Sequence, residues 1–102
     1  MRDTKEETAM AILQLRTASG NWKEGTIGIP SGKDLKGRAT ICHFWVKSYD
    51  EPSEYGIEGG KISKMMIKIN GQTVCNYDRG WDVYPETEEA NIAYAILMEC
   101  YN

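Results

Sequence analysis

The densest run of chemistry-bearing side chains is Tyr77-Asp78-Arg79-Gly80-Trp81-Asp82. A second polar run, Asp50-Glu51-Pro52-Ser53-Glu54-Tyr55, opens a stretch rich in acids and glycine that ends at Gly59-Gly60. Arg79 is the only base beyond residue 77, and its planar fork suits a bidentate carboxylate contact. Two arrangements follow. In one, Arg79 clamps Asp50, Glu51 or Glu54 inside the molecule and Trp81 packs over the loop. In the other, Tyr55, Tyr77, Asp78, Arg79, Trp81 and Asp82 form a recognition surface, because Trp, Tyr and Arg are the usual anchors of interfaces.

The same residues bear on harder chemistries. The acids match no EF-hand spacing for a hard cation. A hydrolase built on Asp78 and Asp82 with Asp50, Glu51 and Glu54 would need a cleft with two converging carboxylates. Zinc fails on spacing, since there is no CxxC and only one His. Gly59-Gly60-Lys61 lacks the GK[ST] of a phosphate-binding loop. Cys42 and His43 are neighbours in an extended segment, so they point to opposite faces and cannot act on each other. No catalytic residue, metal ligand or cofactor is assigned from the sequence. A further constellation is Lys64, Lys68 and Tyr77, read as sharing a sheet face with Met66. Bases beside an aromatic on an open sheet are how some single-strand nucleic-acid binders work. Lys33, Lys36 and Arg38 extend that basic region, but no RNP-type motif is present.

These residues must be held by few elements. A chain of 102 residues leaves room for one core and none for a multi-domain enzyme or a full dinucleotide-binding fold. We read residues 1–102 as one domain, with 1–20 as an N-terminal helical extension and 22–100 as the core. Thr4-Lys5-Glu6-Glu7 has capping-box spacing. Ala9, Ile12, Leu13 and Arg16 then recur at helical intervals, and Gly20 reads as a C-terminal cap, predicting a helix over 5–18. Residues 22–29 read as a strand that Pro30 stops. Residues 38–48 carry the strongest strand signal, with apolar residues of both parities around Phe44 and Trp45, predicting cover on both faces. Asn70-Gly71 marks a type I′ hairpin between strands 61–69 and 72–77. Plain two-residue pairing would oppose Ile67 to Val74, placing Met65, Ile67, Ile69 and Val74 inward and Lys64, Met66, Lys68, Thr73, Cys75 and Tyr77 outward. Trp81–Tyr84 reads as a short extended piece. Thr87 caps a helix of about 88–100 with Glu88 and Glu89 in its first turn. The fold class expected is α+β: an antiparallel sheet of about four strands with an N-terminal and a C-terminal helix packed against it.

Charge and cysteine usage bound the setting. Net charge is −3, against a nucleic-acid packaging role, yet residues 1–77 hold 11 bases and 9 acids while 78–102 hold one base and six acids. That split suits steering of a partner. No apolar run approaches the roughly 20 residues of a membrane span, and the charged N-terminus has no secretory h-region. Cys42, Cys75 and Cys100 are odd in number and widely spaced, which suits reduced thiols in the cytoplasm.

The segments Asp50-Glu51-Pro52-Ser53-Glu54-Tyr55-Gly56-Ile57, Gly59-Gly60-Lys61-Ile62-Ser63-Lys64 and Asn76-Tyr77-Asp78-Arg79-Gly80-Trp81-Asp82 resemble a family of short uncharacterised proteins of bacteria and their phages or mobile elements. The resemblance spans about residues 22–100. It implies a bacterial cytoplasmic protein with a phage-linked origin, and it carries no site residues. The function expected is a small non-enzymatic interaction or self-association module that binds a protein partner or another copy of itself. Weak single-stranded nucleic-acid binding is the alternative, and a small carboxylate hydrolase the second alternative. Neither a membrane nor a metal is expected as a partner.

Overall fold

The computed structural model describes residues 11–30 and 39–102. Its strands are β1 (Ile12–Ser19), β2 (Trp22–Pro30), β3 (Ala39–Ser48), β4 (Ile62–Ile69), β5 (Gln72–Asp78) and β6 (Trp81–Val83), followed by helix α1 (Glu88–Tyr101). Each strand pairs antiparallel with the next, so the six form one sheet in chain order.

Alternation along the strands decides what faces the helix. Ile27 and Ile29 of β2, Cys42, Phe44 and Val46 of β3, Met65 and Ile67 of β4, and Cys75 and Tyr77 of β5 are buried together. Ala93 and Leu97 of α1 close this core, joined by Ile57 from the β3–β4 loop. Fully burying an aliphatic or aromatic side chain of this kind stabilises by about 1.5–3 kcal/mol. Helix α1 starts where expected: the Thr87 hydroxyl accepts from the Ala90 amide (3.1 Å), a cap that contributes about 1 kcal/mol.

The expected fold class is overturned. The sheet has six strands rather than about four, and residues 12–19 are the edge strand β1 rather than part of a helix. The capping residues Thr4 to Glu7 lie outside the described residues. The deciding feature is Gly20-Asn21. Gly20 has φ +63° and sits between the paired residues Ser19 and Trp22. It is the first central residue of a two-residue hairpin, where a positive φ is required, and not a helix cap. The hairpin then sets Leu13 opposite Ile27, a use of Leu13 that helical spacing cannot distinguish over so short a segment.

The expected register of the second hairpin also fails. Asn70 and Gly71 take the positive φ values of the type I′ turn, 54° and 78°, and Ile69 pairs with Gln72. A bulge then intervenes, so that Ile67 pairs with Cys75 and Met65 with Tyr77. One inserted residue reverses the side-chain parity beyond it. Cys75 and Tyr77 therefore face the core, and Tyr77 leaves the face that carries Lys64 and Lys68. Nor is β3 covered on both sides as expected. Phe44 is fully buried, whereas Trp45 is half-buried on the opposite face.

Candidate functional site

Two aromatic regions result, one on each side of the sheet. The first joins the β3–β4 loop to the β5–β6 turn. The loop, residues 49–61, is closed on itself by backbone bonds: Tyr49 N–H to Lys61 O (3.0 Å), Ser53 N–H to Gly60 O (3.1 Å) and Gly56 N–H to Ser53 O (3.0 Å). Asn102 pins it from the far end of the chain. Its Oδ1 accepts from the Ile62 amide (2.9 Å) and its Nδ2 donates to Ile57 O (3.2 Å). A Cβ at Gly60 would lie 2.3 Å from that Asn102 amide, so only glycine leaves room for it. The Tyr77 hydroxyl donates to Tyr55 O (2.9 Å). The Arg79 guanidinium lies 4.5 Å from the Tyr55 ring centroid, while the Arg79 amide donates to Ser63 O (3.0 Å) from a backbone with φ +60°.

Trp81 packs edge-on against Tyr77 (5.0 Å between centroids), Tyr84 (4.6 Å) and Tyr94 of α1 (5.6 Å). Of the six residues singled out by sequence here, the structure brings Tyr55, Tyr77, Arg79 and Trp81 into one contact network. Tyr77 is 7% exposed, whereas Tyr55 and Trp81 keep 48% and 38% of their surface. Asp78 and Asp82 point elsewhere. Asp78 lies 3.5 Å from Lys64, and Asp82 accepts from Asn76 Nδ2 (3.3 Å). The partner of Arg79 is thus an aromatic face, and among the described residues it makes no ion pair with Asp50, Glu51 or Glu54.

The second region is the face of the sheet turned away from α1. Pairing across β2, β3, β4 and β5 lines up Glu24, Trp45, Met66 and Asn76 in one row, and Trp22, Lys47, Lys64 and Asp78 in the next. His43 and Lys68 form a third row with Thr26 and Thr73. Trp45 is held in place by a chain of contacts. His43 stacks on it with centroids 4.2 Å apart and planes 18° apart. His43 Nε2 donates to Glu24 Oε2 (2.7 Å), and Thr17 Oγ1 donates to Glu24 Oε1 (3.2 Å). The bond from His43 comes first among the causes that hold the Glu24 carboxyl below its ordinary value. Lys47 reaches over Trp22 at 5.8 Å and over Tyr49 at 5.6 Å. Beside the indoles is a depression of about 380 Å³ whose lining includes Trp22, Trp45, Lys64, Met66, Asn76 and Asp78, together with Met65 and Tyr77. That is at the small end of the roughly 300–1,000 Å³ of small-ligand sites.

Sequence reasoning placed Lys64, Lys68 and Met66 on this face and missed both indoles. The signal was present, since Trp22 and Trp45 have the parity opposite to Ile27 and Phe44. Nucleophilic chemistry has little support. Burial pushes the Cys75 thiol up to about 12; burial, with a smaller effect of Glu89, pushes Cys42 up to about 11. Such thiols are inert at neutral pH. Cys75 donates instead to the Met65 thioether (3.7 Å). Among the described residues no group of three His, Cys, Asp or Glu is placed to hold a metal ion. Among the described residues the depression is lined by a single carboxylate, Asp78. No helix among the described residues is long and apolar enough to cross a membrane.

Among the described residues the architecture is an antiparallel meander with helix α1 on one side and an aromatic surface on the other. A family model described as Domain of unknown function (DUF7678) matches residues 21–102, and the chain belongs to that family. No curated protein and no solved structure matches the chain. The family assignment agrees with the sequence resemblance at the level of an uncharacterised domain, and the matched span begins after β1.

Proposed function

We propose that this chain is a small non-enzymatic binding module that takes single-stranded nucleic acid on the open face of its sheet. The observation that carries the reading is the pairing of two accessible indoles, Trp22 and Trp45, with Lys47, Lys64 and Lys68 on one solvent-facing surface. Stacking platforms beside cations that track a backbone are what sequence-tolerant single-strand binding requires. The layers also differ in charge. Strands β1 to β5 carry five bases against two acids, while residues 84–102, which hold α1, carry four acids and no base. Of those strand residues, Lys47, Lys64 and Lys68 lie on the open face with Glu24 and Asp78, while the Lys23 ammonium turns to Ser48 and the Tyr101 ring on the helix side.

From the sequence, a protein partner ranked ahead of nucleic acid. The order is reversed here because Tyr77 is spent on the core and the two tryptophans take its place on the lysine-bearing face. A bacterial, cytoplasmic setting with a phage or mobile-element origin remains part of the proposal, supported by the resemblance and by three unpaired cysteines, of which Cys42 and Cys75 are buried and Cys100 is exposed.

The test is fluorescence anisotropy of labelled DNA and RNA single strands of about ten nucleotides. We expect binding at low salt that weakens as salt rises, with a log–log slope of about −0.7 per phosphate neutralised. No binding at low salt contradicts the proposal.

A second reading has its own observation. Tyr55, which lies under Arg79, and the contacting pair Trp81 and Tyr84 are 48%, 38% and 59% exposed, a composition typical of interface anchors. It proposes a protein partner or a second copy docking there. Light scattering that finds a dimer, reverted to monomer by Trp81→Ala, supports it; a strict monomer whose Trp81→Ala and Arg79→Ala variants keep every partner removes it.

A further inference from the structure

The depression beside Trp22 and Trp45 is more specific than a general stacking surface, and the inference drawn from it rests on the nucleic-acid reading above. We propose that it is a base slot, which takes one unstacked nucleobase of the bound strand while the lysines on either side track the flanking phosphates.

Three features of the slot point to a planar, polar-edged ring. The first is its lining. Trp22, Trp45 and Met66 are among its lining residues, and most of the lining surface is apolar. Apolar faces stack on any base, whatever its sequence identity. The second is the rim. Lys64 supplies an ammonium, Asn76 an amide and Asp78 a carboxylate, so both donors and acceptors meet the edge of whatever ring enters. Asn76 already donates to Asp82, which orients its amide, and Lys64 lies 3.5 Å from Asp78. The third is rigidity. Trp45 is fixed by its stack on His43, His43 by its bond to Glu24, and Glu24 by Thr17. A platform set in advance loses little freedom when a ring settles on it.

Size and charge narrow the occupant. About 380 Å³ admits a single ring system with its sugar rather than a folded peptide segment. Lys47 flanks the slot on the Trp22 side, and Lys68 lies in the row beyond Trp45 and Met66. Cations on two sides of an aromatic slot match a base held between two phosphates. An acidic peptide shares the charge but offers no ring to stack, and it therefore serves as the competing occupant in the test.

The experiment uses the full chain and three probes: a labelled oligothymidylate of about ten nucleotides, the same length of abasic strand, and a labelled poly-glutamate peptide. Anisotropy is read for the wild type, Trp45→Ala, Trp22→Ala, Trp45→Phe and Lys68→Ala, each checked for an unchanged thermal melt. Trp22→Ala and Trp45→Phe keep the question answerable if Trp45→Ala unfolds. A base slot predicts that Trp22→Ala and Trp45→Ala each weaken the thymidylate strand by roughly ten-fold. It predicts that Trp45→Phe retains most of the binding, and that neither indole deletion affects the abasic strand. Lys68→Ala weakens both strands alike. If the thymidylate and abasic strands bind equally and the indole deletions change nothing, the slot is wrong while the nucleic-acid reading survives. If neither strand binds at low salt, that reading itself is wrong. If poly-glutamate binds as tightly as the thymidylate strand and loses as much on deletion of the indoles, the occupant is an acidic peptide and the base slot is overturned.

Discussion

Arg79 over the Tyr55 ring and Lys47 over the Trp22 ring are the same kind of contact, a cation against an aromatic face at 4.5 and 5.8 Å. Their surroundings differ. Around Arg79, the Tyr77 hydroxyl, the Asn102 amide and the backbone bonds of the loop tie the β3–β4 connection to the sheet and to the end of α1. Around Lys47, the rings and cations project from one face of the sheet toward solvent, tied mainly to one another. Residue type alone does not mark a recognition surface. What separates the two regions is whether neighbouring backbone consumes the polar and aromatic atoms.

Deletions on the two sides are therefore expected to have unequal consequences for stability. The largest effect belongs to Tyr77. Tyr77→Ala is expected to destabilise by about 3–5 kcal/mol in chemical denaturation, because it removes a buried ring and the bond to Tyr55. Trp22→Ala is expected to cost about 1 kcal/mol or less, since that ring is 43% exposed. Equal losses would dissolve the distinction.

Next comes Asn102→Ala, expected to cost about 1–3 kcal/mol by leaving the Ile62 amide and Ile57 carbonyl, on two buried residues, without their partner. Hydrogen exchange should then speed up across residues 57–62 and stay unchanged at Trp45. Unchanged exchange in the loop would show that Asn102 does not hold it.

A smaller effect is expected for Arg79→Ala, about 0.5–1 kcal/mol from the lost contact with Tyr55. Arg79→Gly should recover part of it by relieving the positive φ. If Arg79→Gly is the less stable of the two, backbone strain at this turn is not a factor.

The smallest effect is electrostatic and lies on the open face. The folded state holds the Glu24 carboxyl below its ordinary value of 4.5, mainly through His43. A carboxylate lowered on folding stabilises above its unfolded pKa and loses that contribution as pH falls through the folded value. Wild type and Glu24→Gln should therefore differ slightly in melting temperature at neutral pH and converge well below pH 4.5. A difference that persists unchanged in acid would assign the effect to packing instead.

Much of the fold was legible because short-range rules governed it. A glycine-interrupted run stopped by Pro30 marked β2, an apolar run of both parities marked β3, Asn70-Gly71 marked the β4–β5 turn, and Thr87 with Glu88 and Glu89 marked the start of α1. The failures come from places where one residue changes the periodicity. Ile12, Leu13 and Arg16 satisfy helical spacing, yet Gly20-Asn21 closes a hairpin that recruits them into an edge strand. The bulge opposite Ile67 and Lys68 has no signature in Thr73-Val74-Cys75, and it alone moves Tyr77 from the lysine face to the core.

The site was legible in part for the same reason. Tyr77, Arg79 and Trp81, close in sequence, join one contact network with Tyr55, while Asp78 and Asp82 of the same run do not. The row of Glu24, Trp45, Met66 and Asn76 is assembled from four strands and needs the register to be seen. The partner of His43 is likewise non-local, Glu24 on the neighbouring strand, 19 residues away.

We propose that a ligand sits on the open face and not on the Arg79 side. The three tryptophans report on it directly, because Trp22 and Trp45 lie on one side of the sheet and Trp81 on the other. In a nuclear magnetic resonance titration of the full chain with unlabelled oligothymidylate, we predict that the indole N–H signals of Trp22 and Trp45 shift and that of Trp81 stays in place. A shift confined to Trp81, with Trp22 and Trp45 unmoved, would contradict the account.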